Sequence, residues 1–305
     1  MSNLKNSYDI KTIKTILNKN DIYDDIEFID YLNLNKLIVY FESKKYILKI
    51  FYDNFSAKLG KNEHKGYKFI NSSHKKFSLP EYECILNDDN LFISKIKYLG
   101  ENKGNYFDSK NYLSLNYNSI SSTIDAKLYS EKLLDKFSNF VDILDINETK
   151  IDIEKFINLN GNLKLYLDSS HGDFVHWNTR LINNTYYCFD LEHFNNERIL
   201  FYDLIHWYFI PIFQKKIFFK IKPISKYILK LLSVYLKNTF SKRYKLKNLE
   251  NFNFLIFFYL IEKKIYYLNM ISDEKLAKSM TKKYLNQAIF LNYEISKLLK
   301  ILISK

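Results

Sequence analysis

A chain of 305 residues, 47% hydrophobic and 26% charged, has the length and composition of a globular protein that buries a full core, as one two-lobed unit or two domains. The opening MSNLKNSYDIK lacks the apolar stretch of a secretion signal, and the best apolar run, Phe252 to Ile261, is too short to span a bilayer. Cys84 and Cys188 show no metal-ligand spacing, so a cytoplasmic protein with two buried thiols is expected. The net charge of +12 is uneven: Pro211 to Lys305 holds 20 Lys and Arg against 5 Asp and Glu, and the remainder 26 against 29.

Ser7 to Asn18 places Ile10, Ile13, Ile16 and Leu17 at helical spacing, which predicts a short amphipathic helix. Ile26 to Tyr31, Leu37 to Glu42 and Lys45 to Phe51 read as three strands, the last two joined by a turn at Ser43-Lys44. A helix from about Ala57 to Ser72 follows. Tyr82 to Leu86 and Leu91 to Tyr98 then predict two further strands around Asn87-Asp88-Asp89-Asn90, completing a five-stranded sheet. From Tyr106 the pattern turns helical, with a strong amphipathic helix over Ser122 to Leu144.

Ser169 to Phe194, SSHGDFVHWNTRLINNTYYCFDLEHF, carries the chemistry. Asn183-Asn184 is a turn signal between two apolar-aromatic runs, so this stretch predicts a loop, a two-stranded ribbon and a second loop. A ribbon that folds back brings Asp173, Asn178 and Asp190 toward one end. One Asp there can accept a proton from an attacking hydroxyl, while the Asn and the second Asp hold Mg²⁺ against a nucleotide's phosphates. The Asp-x-x-x-x-Asn spacing alone is weak, since Asp30 and Asn35, or Asp190 and Asn195, share it. The distinguishing context is His171-Gly172 before Asp173 and the strand-borne Asp190 after the ribbon. Other readings compete: a polar turn with an exposed ribbon for the stretch, and a satisfied core or groove histidine for His206.

His171, Gly172, Asp173, Asn178 and Asp190 resemble the catalytic centre of the aminoglycoside phosphotransferase and choline kinase-like family, small-molecule kinases on the protein-kinase fold. The resemblance implies an α+β, two-lobed chain: an N-lobe over residues 1–97 with a five-stranded antiparallel sheet, and a helical C-lobe over 98–305. It implies transfer of the γ-phosphoryl group of ATP (or GTP) to a hydroxyl, with Mg²⁺. By that resemblance Asp173 orients and deprotonates the nucleophile, and Asn178 and Asp190 coordinate the metal. Lys49 grips the phosphates, with Lys45 and Lys44 as rivals, and Glu63 is the helix glutamate that pairs with it or else a solvated one. Backbone near Lys95, Ile96 and Lys97 faces the base, Asp203 buttresses the catalytic loop, and His171 supports it. Glu192 has either a metal-assisting, a second-layer or a surface role.

Two departures matter. Leu32 to Lys36 holds no glycine where many kinases place a glycine-rich cover, and Asp203 follows Asp190 by only 13 positions, with no Ala-Pro-Glu closure. The short interval disfavours a protein substrate and favours a small molecule, foremost a sugar or surface-glycan or lipid precursor. An aminoglycoside or choline-type acceptor is the alternative, and a non-catalytic nucleotide- or partner-binding protein is the reading from another class. The lysine-rich stretch Gln214 to Lys247 reads as solvated lobe helices, or as a surface for peripheral contact with an anionic membrane. No nucleic-acid motif is present.

Overall fold

The structure, a computed structural model, describes residues 10–19, 25–32, 36–72, 78–100, 122–138, 140, 146–216, 250–272 and 278–303. The chain divides into two compact units, Met1–Asn105 with Ile182–Glu192, and Tyr106–Leu181 with His193–Lys305. The basic residues 217–249 lie outside the described residues, so the membrane-contact expectation for Gln214 to Lys247 has no structural account. No helix among the described residues is long and apolar enough to cross a membrane.

The first unit holds α1 (Ile10–Lys19), β1 (Ile26–Leu32), β2 (Lys36–Phe41), β3 (Tyr46–Phe51), α2 (Asn54–Ser72), β4 (Tyr82–Asn87) and β5 (Phe92–Lys97). The strands form the expected five-stranded sheet, in the order β1-β2-β3-β5-β4 with every pair antiparallel. Alternation assigns the two faces. Leu37, Val39 and Phe41 of β2 join Leu48, Ile50, Ile93 and Leu17 of α1 in one apolar cluster. The opposite face carries Lys36 and Ile38, and there Ile38 pairs with Lys49, which pairs in turn with Ser94.

Helix α2 starts where Asp53 Oδ1 accepts the Ser56 amide at 2.6 Å and Ser56 Oγ accepts the Asp53 amide at 3.1 Å, a reciprocal cap. Gly60 lets this helix lie on the sheet, because a Cβ there would stand 2.3 Å from the Phe92 ring and 2.9 Å from that of Phe51. That close approach sets the height of Glu63, nearly one turn further along.

In the second unit β6 (Ser122–Asp125), β7 (Lys164–Ser170) and β10 (Asn195–Ile199) form a three-stranded sheet in the order β10-β7-β6. This corrects the expectation of one helix over Ser122 to Leu144. Thr123 and Ile124, β-branched and facing Tyr166 and Leu165, pair as strand, and helix α3 (Ala126–Ser138) begins only after Asp125. Helices α4 (Ile146–Asn160), α5 (Tyr202–Lys216), α6 (Glu250–Ile271) and α7 (Lys278–Ile303) complete this unit among the described residues. From Leu255 to Ile261 helix α6 is buried on all sides, as a helix apolar all round must be.

The ribbon of the central stretch is β8 (Thr179–Ile182) and β9 (Thr185–Cys188), and the division between units falls within β8. Asn183 and Asn184 turn it with φ of 47° and 62°, the left-handed pair that a two-residue hairpin turn needs and that Asn tolerates. Ser78 fastens β9 in the first unit: its amide donates to Tyr186 O at 3.0 Å and its carbonyl accepts from Cys188 N at 3.1 Å.

Candidate active site

In the first unit Lys49 is buried, and its Nζ donates to Glu63 Oε1 at 2.8 Å, Asp190 Oδ1 at 2.6 Å and Glu192 Oε1 at 3.3 Å. Lys44 and Lys45, its rivals from sequence, are exposed at the turn. A second ammonium, Lys36 Nζ, stands 2.5 Å from Glu192 Oε1 and 3.9 Å from Asp190 Oδ1. Asp190 has φ of 69°, a left-handed backbone that costs energy for a residue with a side chain. The turn after it, Leu191–His193, is held to α2 by Asn62 Nδ2, which donates to Glu192 O at 2.8 Å.

Two cations and three carboxylates thus share one buried cluster. Burial raises the Asp190 pKa, but Lys49 and then Lys36 overcome it and hold the carboxyl well below its ordinary range. Burial, and next the Asp190 charge, push Glu192 the other way. Within this pair, Asp190 is the carboxylate that stays ionised. One oxygen each of Glu63, Asp190 and Glu192 fall within 4.8 Å of one another, a spacing from which a hard cation can take oxygen ligands.

The expectation for Lys95 and Ile96 meets a correction. Strand β5 lies between β3 and β4, with Lys95 paired to Leu48 and Glu83, and Ile96 to Ile47 and Tyr82. Their backbone groups are committed to the sheet rather than open to a base. The Lys95 side chain lies on the other face, 4.2 Å from the Tyr46 ring centroid.

In the second unit β7 delivers the chain to His171, and Asp203 of α5 takes over. Its Oδ2 accepts the His171 amide at 2.7 Å and its Oδ1 the Gly172 amide at 2.9 Å. Gly172 is obligatory: φ is 85°, and a Cβ would stand 2.0 Å from His193 O and 2.4 Å from Arg198 Nη1. Arg198 is placed by Ser170 Oγ at 3.2 Å and by Glu262 Oε2, 3.2 Å from its Nε. The His171 ring accepts the Asp173 amide at Nδ1, 3.3 Å away.

Asp173 is held at both oxygens. Oδ1 faces His206 Nε2 at 2.8 Å, and Oδ2 accepts from Asn178 Nδ2 at 3.1 Å, which also donates to Asp173 O at 2.9 Å. Burial raises the Asp173 pKa, yet the His206 hydrogen bond and the nearby Lys263 charge hold it below the usual carboxylate range. The side chain keeps 31% of its surface open, enough for a group from outside to reach it. Asn178 points Nδ2 at Asp173, which turns its amide oxygen, the atom a hard cation takes, the other way.

Lys36, His206 as a partner of Asp173, Tyr259 and Lys263 are site residues that sequence reasoning missed. Parity was the available signal for Lys36: it lies two residues before Ile38, which faces Lys49. For His206 it was the three-residue step from Asp203, which puts both on one side of a helix.

No protein-family model matches the chain, and no curated protein sequence does. Solved structures do. Aminoglycoside phosphotransferase APH(2'')-Ib with bound ADP superposes with a TM-score of 0.52 at 16% identity, over 95% of this chain and 99% of that one. The GDP complex of wild-type aminoglycoside 2'-phosphotransferase-IIIa gives 0.56 at 11% identity, over 94% and 99%. The choline kinase LicA from Streptococcus pneumoniae gives 0.55 at 12% identity, over 93% and 99%. The chain has the fold of these small-molecule kinases. The coverage is nearly end to end in both directions, so the shared fold includes both the sheet-bearing and the helical parts.

Proposed function

We propose that the chain is a phosphotransferase that moves the γ-phosphoryl group of ATP (or GTP) to a hydroxyl of a small molecule. The observation that carries this reading is the buried Lys49 ammonium joined at once to Glu63 and Asp190. Such a lysine is fixed in length and direction by the helix glutamate and can turn toward phosphate oxygens. Residues 1–97 and 98–305 act as its N- and C-lobes.

Each residue then has a task. Asp190, ionised and with 28% of its side chain open, and the Asn178 amide oxygen are the ligands offered to Mg²⁺, with Glu192 beside Asp190. When bound, the ion supplies positive charge against the phosphate oxygens. Lys49 and Lys36 supply more of it, and Lys36 does so where the β1–β2 turn has no glycine-rich cover. Asp173 accepts the acceptor's hydroxyl proton on a carboxylate oxygen, and Asn178 keeps that carboxylate turned toward the nucleophile. Asp203 holds the His171-Gly172 backbone, and so the loop, at constant height.

A sugar or a surface-glycan or lipid precursor is the acceptor class we favour. The Lys263 charge acts on Asp173, and burial pushes the Lys263 pKa down to about 8. A polycationic aminoglycoside needs converging acids. The test is transfer of label from [γ-³²P]ATP or GTP to a panel of sugars, amino alcohols and aminoglycosides, with Asp173→Asn as control. Labelled product from one class, reduced about 10²–10⁴-fold by the substitution, supports the reading. Product that survives Asp173→Asn undiminished removes Asp173 from the mechanism.

A further inference from the structure

His206 is fully buried on α5, and both its ring nitrogens are engaged. Nε2 stands 2.8 Å from Asp173 Oδ1, and Nδ1 stands 2.8 Å from the Tyr259 hydroxyl on α6. Chemistry allows one assignment of the protons. An ionised carboxylate can only accept, so Nε2 carries the hydrogen. In a neutral ring Nδ1 then has a lone pair, and the Tyr259 hydroxyl donates to it. Burial, and next the Lys263 charge, push the imidazole pKa down to about 3, in keeping with a neutral ring. The result is a one-way chain of donors, Tyr259 to His206 to Asp173.

A histidine that merely satisfied itself in a core would find its partners inside that core. This one reaches out of it, to a carboxylate with 31% of its side chain open. The chemical type of the donor also matters. An ammonium or guanidinium in the same place would hold Asp173 just as firmly, but its full charge would weaken the carboxylate as a base. A neutral N–H orients the oxygen without a net charge, although the hydrogen bond itself still lowers the Asp173 pKa. With Asn178 Nδ2 on Oδ2, the plane of the carboxylate is set from both ends while each oxygen keeps a further lone-pair direction.

We propose that His206 is a positioning residue for Asp173, and that Tyr259 serves the same device by fixing the imidazole tautomer. The proposal rests on the reading of the chain as a phosphotransferase in which Asp173 takes the hydroxyl proton. Loss of the Nε2 donor lets the carboxylate rotate, which slows transfer and leaves nucleotide binding alone.

His206→Gln keeps an N–H donor near the Nε2 position, and His206→Phe keeps the bulk without it. Both are made on the native chain and on Asp173→Asn, with phosphate release from Mg²⁺-ATP or Mg²⁺-GTP as turnover, water serving as acceptor, and calorimetry as binding. On the native background His206→Phe is expected to lower turnover roughly tenfold or more, with nucleotide affinity unchanged and most of the loss restored by Gln. On Asp173→Asn it is expected to add nothing. An equal further loss there, or no rescue by Gln, overturns the proposal while the phosphotransferase reading stands. A native chain without binding or turnover overturns both.

A readout independent of turnover, and of whether the Phe variant folds, is the imidazole ¹⁵N spectrum of the six histidines. It should show His206 as the Nε2–H tautomer, with a proton resonance that moves in Asp173→Asn. An Nδ1–H tautomer contradicts the donor chain outright.

Discussion

Asp190 and Asp173 are both partly open carboxylates on loops that follow a strand, yet the chain surrounds them in opposite ways. Asp190 sits in an ionic cluster of two lysines and two further carboxyl groups, with Lys49 at 2.6 Å. Asp173 is hydrogen-bonded by neutral donors, the His206 ring at 2.8 Å and the Asn178 amide at 3.1 Å, with the Lys263 charge also acting on it. A carboxylate tied to ammonium groups is ionised and anchored, which suits it to a cation and phosphates and unsuits it as a base. A carboxylate held by uncharged N–H groups is oriented by directed hydrogen bonds, which here also keep its pKa below the usual range. The same residue type is thus directed to two tasks by what its neighbours carry.

The sharpest way to break this contrast is Lys49→Met, which leaves the carboxylates of the first cluster short of their main cation. Removing one member of a buried ionic group costs about 3–5 kcal/mol, so a urea titration should show a loss of that order, together with lost nucleotide affinity. A loss well under that size would mean that Lys36 alone neutralises the cluster.

Gly172→Ala probes the second site with no change of charge. The left-handed backbone alone costs about 1–2 kcal/mol for a residue with a Cβ, and the overlap with His193 O adds to it. Turnover is expected to fall further than stability, since the residue after Gly172 is Asp173. Equal stability of the variant and the native chain would deny the close packing of that loop.

A further effect is alkaline. Burial raises the pKa of Tyr202, Tyr259 and Tyr267 around the second site, at Tyr202 against the opposing Arg198 charge. Groups whose folded pKa is raised stabilise the fold fully below their unfolded value and lose that contribution above it. The tyrosine contribution should be level up to about pH 10 and then fall by about 1.4 kcal/mol per tyrosine per pH unit. Urea midpoints at pH 9, 10 and 11, roughly spanning the ordinary tyrosine pKa, measure it. A flat series would mean that these hydroxyls ionise in the folded chain.

The sheet was legible because alternation is a local signal: β2 buries Leu37, Val39 and Phe41 at every second position, and Asn183-Asn184 marked its own turn. The ribbon between the two loops of the stretch was legible from its two apolar-aromatic runs. The three-stranded sheet was not, since Ser122–Asp125 is four residues long and runs into a helical pattern that absorbs it. Register decided Lys49 over Lys45, and placed the Lys95 and Ile96 backbone inside the sheet, which no side-chain type reveals. His206 and Tyr259 are 53 residues apart, and their link to Asp173 depends on the packing of α5 and α6. No periodicity in the chain encodes that.

Calorimetry of ATP and GTP, with and without Mg²⁺, on the native chain and on Asp190→Asn tests the central claim most directly. Metal-dependent binding of at least one nucleotide is expected, weakened by the substitution if the anchored carboxylate is the ion's ligand. Binding of neither nucleotide under any condition, or metal-dependent binding that Asp190→Asn leaves untouched, would contradict it.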